Sequence, residues 1–427
     1  MKTILPLVAL ACLLLCSGVE AVEPSPVSEA GTNQPLSADA VVREVLERNP
    51  ALKSARANWE AMKTRIRQSS AWADPKFGVD VERSDSTRFF SYSDTEWMIA
   101  QEIPISGKNR LRAAGAKADA FTAFAELRRR EVDLEARARI ACVALANAYK
   151  QLELNQRNEA LLKQVTEIAR IRYESGMRMQ GDVLMAQTEL VKNQEARRDL
   201  ERDVSDAQSR INTLMDRPAN NPLPAPGSNA FRDATLLRER VEQVALQHRP
   251  ELAGASNRIA SAKAQHTLAR RAWIPDPEVR VEARQFDGSG FIEYDTGIFF
   301  NLPWFNFGKY KSAIAEAGFN RESAEHNLSA LQAETAGQVR DQLQKISTAH
   351  HHYNLFRERL STLARQSLDA TRIAYENDKS TLLELLTAQR TLREVESTQE
   401  RHLADYLSAL AELEAITGAN LQTLTKP

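Results

Sequence analysis

The hydrophobic pattern changes period along the chain, and it does so twice in the same order. From Ala38 to Glu47 and from Ala51 to Trp72 apolar residues recur at helical spacing, interrupted by Asn49-Pro50. The period then drops to two. Phe77, Val79 and Val81 alternate with Gly78, Asp80 and Glu82, and Trp97, Ile99 and Ile103 alternate with Glu96, Met98 and Glu102. Such alternation predicts strands with one apolar and one charged face. Helical spacing returns at Asn109 and runs to Arg172 with no proline. At about 1.5 Å per residue this is roughly 95 Å of helix. Inside it Leu134, Ala138, Ala141, Leu145, Ala148 and Leu152 step by 4, 3, 4, 3 and 4, a coiled-coil seam with small residues in alternate layers. Tyr173 to Gly181 reads as a turn, and a second helix returns from Asp182 to about Met215.

The second half repeats this plan. Arg48-Asn49-Pro50-Ala51-Leu52 matches His248-Arg249-Pro250-Glu251-Leu252 at a shift of 200. Asp74-Pro75 matches Asp276-Pro277, Gly107-Lys108 matches Gly308-Lys309, and Tyr173-Glu174 matches Tyr375-Glu376. Helical patterns cover Leu236–Gln247 and Glu251–Trp273. Val279, Val281 and Ala283 alternate with Glu278, Arg280, Glu282 and Arg284, and Ile292, Tyr294, Ile298, Phe300 and Leu302 alternate with Glu293, Asp295 and Asn301. A long helical hairpin follows, with its turn at Tyr375 to Thr381. The expected organisation is a first repeat over 37–218 with a β-hairpin at about 76–103, a proline-rich linker over 219–232, a second repeat over 233–418 with a hairpin at about 278–302, and a tail over 419–427.

Composition narrows the class. Lys+Arg is 56 against Asp+Glu 57, so there is no basic excess to attract nucleic acid. No stretch of 18 apolar residues exists, which excludes a helical membrane span. The alternating runs, however, have the length of tilted membrane-spanning strands. Lys2, the apolar run Ile4 to Leu15 and the small residues Val19 and Ala21 read as a secretory signal over 1–21, followed by an extended lead-in over 22–36. Cys12 and Cys16 are candidates for acylation, and Cys142 is left as a lone thiol in the small-residue seam.

Four strands cannot stand in a bilayer alone, because an open edge leaves backbone groups unsatisfied in lipid. A soluble sandwich or a periplasmic coiled coil without a pore are the alternatives. Two copies would supply eight strands, a barrel filled by side chains. Three would supply about twelve, enough for a water-filled lumen lined by the charged face. The expected fold is therefore mainly α with transmembrane β: long coiled-coil helices forming an α-barrel, and four strands per chain in a trimeric barrel.

The duplicated plan, the Asn49-Pro50-Ala51-Leu52 and Arg249-Pro250-Glu251-Leu252 breaks, and the Tyr173…Gly176…Asp182-Val183-Leu184…Ala186 turn resemble the TolC-type outer-membrane efflux family. Gln101 to Arg110, with its Gly107-Lys108, is similar to the heavy-metal efflux branch. The resemblance implies a homotrimer in outer-membrane lipid that extends into the periplasm. It also implies docking to a periplasmic adaptor and an inner-membrane pump, and passage of heavy-metal cations, with drug or protein export as the alternative cargo. It implies that Asp182 and Glu384 form the pore constriction, and that Tyr173, Gly176, Arg178, Tyr375, Asn377 and Lys379 form the tip turns and adaptor contact. Met185 and Thr387 stand where many members carry a further acid.

No catalytic or cofactor motif accompanies these residues. Gly107-Lys108 and Gly308-Lys309 lack the glycine and hydroxyl residue of a phosphate-binding loop. His350-His351-His352 points in three directions on a helix, so one chain cannot close a metal site with it, and a solvated face is expected.

Overall fold

The computed structural model describes residues 35–82, 94–231, 233–234, 236–286 and 290–420. The export signal, most of the lead-in, residues 83–93 and 287–289 between the strands, residues 232 and 235, and residues 421–427 lie outside the described residues.

Two short helices, α1 (Ala38–Arg48) and α2 (Pro50–Ser70), meet at Asn49. Its side chain accepts from the Ala51 N–H at 3.0 Å and donates to the Leu214 carbonyl at 2.9 Å. Pro50 occupies the first position of α2, where its missing N–H costs nothing. Strands β1 (Lys76–Glu82) and β2 (Asp94–Glu102) follow, then α3 (Lys108–Glu174), which has 67 residues and is about 100 Å long at 1.5 Å per residue. The returning helix is α4 (Gln180–Leu214). The same order recurs in α5 (Arg238–His248), α6 (Pro250–Arg271), β3 (Pro277–Phe286) and β4 (Phe291–Phe300). A 3₁₀ turn at Pro303–Asn306 leads into α7 (Phe307–Leu355). Here the two halves differ. A π turn at Phe356–Leu360 separates α7 from α8 (Ser361–Glu376), whereas α3 is uninterrupted. The last helix is α9 (Leu382–Thr417).

Each half has its own apolar centre. Val41, Val45 and Leu52 pack on Leu134, Ala138 and Leu145 of α3 and on Val204 and Ile211 of α4. Val241 and Val244 of α5 pack in the same way on Val339 and Ile346 of α7 and on Tyr406, Leu410 and Leu413 of α9. Gly418 ends α9 in the left-handed region at φ 67°, against the break between α5 and α6. A Cβ there would stand 2.7 Å from the His248 carbonyl oxygen. Gly418→Ala should therefore cost about 1–3 kcal/mol and lower the melting temperature measured by circular dichroism.

Nearer the turns, the helix contacts become polar. Asn155 and Asn158 of α3 both donate to the Asn193 amide oxygen on α4, at 3.2 and 2.6 Å, and Gln389 of α9 donates to Asn158 Oδ1 at 3.1 Å. All four are buried. An axial slip of one helix would leave these amides unpaired, at about 1–3 kcal/mol each, so the layer fixes register.

The two hairpins join into one antiparallel sheet in the order β1-β2-β3-β4. Val79, Trp97, Ala283 and Tyr294 lie in one row across it, and Phe77, Ile99, Val281 and Thr296 in another. The opposite face carries Asp80, Glu96, Arg284 and Glu293 in a row, with Arg284 donating to Glu96 at 3.0 Å. The apolar face is uncovered: Phe77 is 65% exposed, Ile99 56%, Ile298 62% and Tyr294 71%. No described helix is long and apolar enough to cross a membrane.

Candidate functional site at the helical tip

α3 begins beside the sheet and ends at Glu174, where the chain turns into α4. The turn between α8 and α9 is packed against it. Leu162, Ala169 and Ala186 of the first hairpin and Tyr375, Leu382, Leu385 and Leu386 of the second form a closed apolar cluster. Tyr375 is its largest side chain, 1% exposed.

Both turns use the same backbone device. Met177 N–H bonds to the Arg172 carbonyl, and Lys379 N–H to the Ala374 carbonyl, each reaching past the helix end. The residue in the left-handed region is Gly176 at φ 73° in the first turn and Asp378 at φ 59° in the second. Aspartate tolerates that region better than most residues, yet glycine is the easy choice. At this position the aspartate has partners. Its Oδ1 accepts from Arg172 at 3.1 Å and from Arg178 at 3.2 Å, both from the other hairpin. Arg172 also donates to the Tyr375 carbonyl at 2.6 Å and the Glu376 carbonyl at 2.7 Å. Arg178 donates to the Ser380 carbonyl at 3.1 Å. The two guanidiniums lie 4.7 and 5.6 Å from the Tyr375 ring centre. Burial pushes the Tyr375 hydroxyl above its usual range, and the charge on Arg172 opposes that shift.

Each residue singled out from the sequence has a distinct place. Tyr375 is the buried anchor, and Arg178 is half-buried in the cross-hairpin network. The carboxylate partner of Arg178 belongs to the second turn and not to its own. Tyr173 is 43% exposed and Gly176, Asn377 and Lys379 are exposed. Asn377 donates to the Ile373 carbonyl of its own helix at 2.8 Å.

The two acids differ. Glu384 closes a capping box: Thr381 Oγ1 accepts from the Glu384 N–H, and Glu384 Oε2 accepts from the Thr381 N–H at 2.9 Å. It also accepts from Ser380 Oγ at 2.5 Å. The Ser380 hydroxyl, then the Thr381 N–H, hold this carboxyl below its usual range. Its capping is thus fully present at neutral pH and is lost as pH falls through that lowered value. Asp182 is half-buried in the first turn of α4 and makes no side-chain hydrogen bond or ion pair among the described residues.

Arg172 and Asp378 were not among the sequence candidates. The signal for Asp378 was present, because it occupies the place of Gly176 in the duplicate. A charged residue where a turn asks for glycine marks a position kept for its side chain.

The histidines are not uniformly solvated. His351 and His352 are exposed, but His350 stacks on Phe231 with ring centres 5.6 Å apart. His352 also lies 5.0 Å from His402, and burial, then the charge of His352, lower the basicity of His402. Among the described residues no group of three potential ligands could hold a metal. Cys142 is buried, which pushes its thiol up to about 11 and leaves it uncharged at neutral pH.

Comparison with known proteins places this architecture. The profile of the outer membrane efflux protein family matches residues 41–216 and 241–419, one copy in each half. The chain belongs to that family. Its residence is the outer membrane, with helices reaching into the periplasm, and relatives of this kind are channels rather than enzymes. The nickel-cobalt-cadmium resistance protein NccC of Alcaligenes xylosoxydans xylosoxydans is 22% identical over 315 residues, covering 70% of this chain and 66% of the relative. The pyoverdine export outer membrane protein OpmQ of Pseudomonas putida is 26% identical over 402 residues, covering 85% of this chain and 83% of the relative. Among solved structures, the outer membrane protein VceC of Vibrio cholerae superposes with a TM-score of 0.77 at 18% identity, covering 90% of this chain and 96% of that one. This last likeness concerns the fold. The family match spans both tips, the sheet and the long helices between them.

Proposed function

We propose that three copies of the chain form an export duct, passing cargo from an inner-membrane pump and a periplasmic adaptor to the exterior. One observation carries this reading. The sheet has an uncovered apolar face and a charged opposite face, and it stands at the end of helices about 100 Å long. A barrel closed from such sheets meets lipid with Phe77, Ile99 and Tyr294 and water with Glu96 and Arg284. The tip turns form the narrow end, with Asp182 and Glu384 at the constriction. Exposed Met177, Met179, Leu184 and Leu383, together with Tyr173, Gly176, Asn377 and Lys379, offer the adaptor contact.

Heavy-metal cations are the cargo this reading favours, supported by the likeness to a nickel-cobalt-cadmium resistance protein. Export of an organic chelator is the second reading, supported by the longer likeness to a pyoverdine exporter. Host cells lacking this chain should lose tolerance to nickel, cobalt or cadmium under the first reading. Under the second they should instead retain a secreted chelator.

The constriction is tested separately in planar bilayers. Asp182→Asn should reduce cation selectivity, read as a smaller reversal potential in a salt gradient, with little change in melting temperature. Glu384→Gln weakens the capping box, so it should lower the melting temperature as well as selectivity. Unaltered selectivity in both variants would remove both acids from the pore.

A further inference from the structure

The chain contains one copy of the junction that neighbouring copies would have to make with each other. Inside the chain, β2 of the first half pairs with β3 of the second. Directly below this seam, Lys108 after β2 reaches Asp276 before β3, with Nζ 3.0 Å from Oδ2. Asp276 Oδ1 also accepts from the Ser106 N–H at 2.9 Å, and Lys108 donates to the Ile274 carbonyl at 2.7 Å. The pair is sheltered: the side chains are 15% and 5% exposed. Burial alone would raise the Asp276 carboxyl, but the bonds from Ser106 and Lys108 outweigh it and hold it low.

The duplication supplies the same two groups once more, at the outer edges. Asp74-Pro75 is the counterpart of Asp276-Pro277, and Gly308-Lys309 of Gly107-Lys108. Asp74 precedes edge strand β1 and Lys309 follows edge strand β4. Both are exposed, and neither has an ionic partner among the described residues. Lys309 lies only over the ring of Tyr310, at 5.8 Å. The internal seam therefore uses one aspartate and one lysine, and the two free edges carry the complementary pair.

In such a barrel β4 of one copy meets β1 of the next; we infer that this junction keeps the register of the β2–β3 seam, and that Lys309 clasps Asp74 of the next copy beneath it. The inference rests on the trimeric reading above and adds the residues of its interface. The register follows from the repeat. Pro104 and Pro303 align β2 with β4 at a shift of 199, the two further residues before Gly308 falling in the segment of the 3₁₀ turn at Pro303–Asn306, and Asp74 and Asp276 align β1 with β3 at 202. The observed pairs Ile99↔Val281 and Gln101↔Val279 then translate to Ile298 facing Val79, and Phe300 facing Phe77, of the next copy. All four are exposed in the single chain, between 46% and 65%. This register places apolar against apolar on the lipid side. A slip of one residue would set Ile298 against Gly78 or Asp80 and turn one strand's apolar set to the wrong face.

The test uses the full chain purified in detergent. Oligomeric state is measured first, on the unaltered protein, by light scattering. A monomer there overturns the trimeric reading and this inference with it. Directly facing residues lie within disulfide reach, while diagonal neighbours about 7–8 Å apart do not. The variant Val79→Cys with Ile298→Cys should give covalent dimers and trimers on oxidation. Val81→Cys with Ile298→Cys, and each single cysteine variant, should not. Lys309→Glu should reduce the trimer fraction several-fold, and adding Asp74→Lys should restore it. Trimers that cross-link through the Val81 variant instead would overturn the register. Trimers indifferent to Lys309→Glu would overturn the clasp, leaving the trimer itself intact.

Discussion

Arg172→Ala should raise single-channel conductance several-fold in planar bilayers, more than any other single substitution at the tip. Arg172 donates to two carbonyls and one carboxylate of the opposite hairpin and covers the Tyr375 ring. Hydrogen bonds from a charged donor are worth about 1.5–3 kcal/mol each. Exposure of Asp378 reduces its share, since a solvated ion pair contributes about 1 kcal/mol or less. The two carbonyl bonds therefore carry most of the attachment. Asp378→Asn removes the charge but leaves those bonds, so its effect should be smaller and should shrink further in high salt. The ordering Arg172→Ala above Asp378→Asn is the discriminating result. Equal effects, or an unchanged conductance in both, would mean that the two hairpins are held by the apolar cluster around Tyr375 and Leu386.

Ile99→Arg should abolish recovery of trimers from the membrane fraction. Ile99 sits mid-strand on the uncovered face, between Phe77 and Val281. An arginine facing the lipid midplane of a barrel costs about 2–4 kcal/mol, and the substitution repeats in every copy. Glu102→Gln lies on the opposite face, across from Glu278, and should be tolerated. Membrane fractionation with native gels compares the two. Equal recovery of both variants would reverse the assignment of faces.

The strands and helix breaks were legible because each rests on local chemistry. Alternation in Phe77 to Glu82 and proline after Asn49 act within a few residues. The tip network was not legible in that way. Arg172 and Asp378 are 206 positions apart, and no spacing rule connects them. The sequence pattern showed two turns of one design, but not that the second donates its carboxylate to the first. The amide layer of Asn155, Asn158, Asn193 and Gln389 was hidden for a related reason. Each asparagine alone reads as a solvated helix position, and only the packing of α3, α4 and α9 buries them together. Joining of the hairpins through β2 and β3 likewise depends on strands separated by the whole first helical hairpin and by α5 and α6.

The π turn at Phe356–Leu360 records how the two halves drifted apart. Gly107 and Gly308 are 201 positions apart, whereas Tyr173 and Tyr375 are 202 apart. The second half therefore holds one more residue between that glycine, at the start of the long helix, and the tip. An extra residue in an α-helix would rotate everything beyond it by about 100° and swing the Tyr375 anchor off its cluster. A single wider turn takes up that residue and returns the helix to phase. The extra residue is thus absorbed within the helix, and the tip beyond it keeps its geometry.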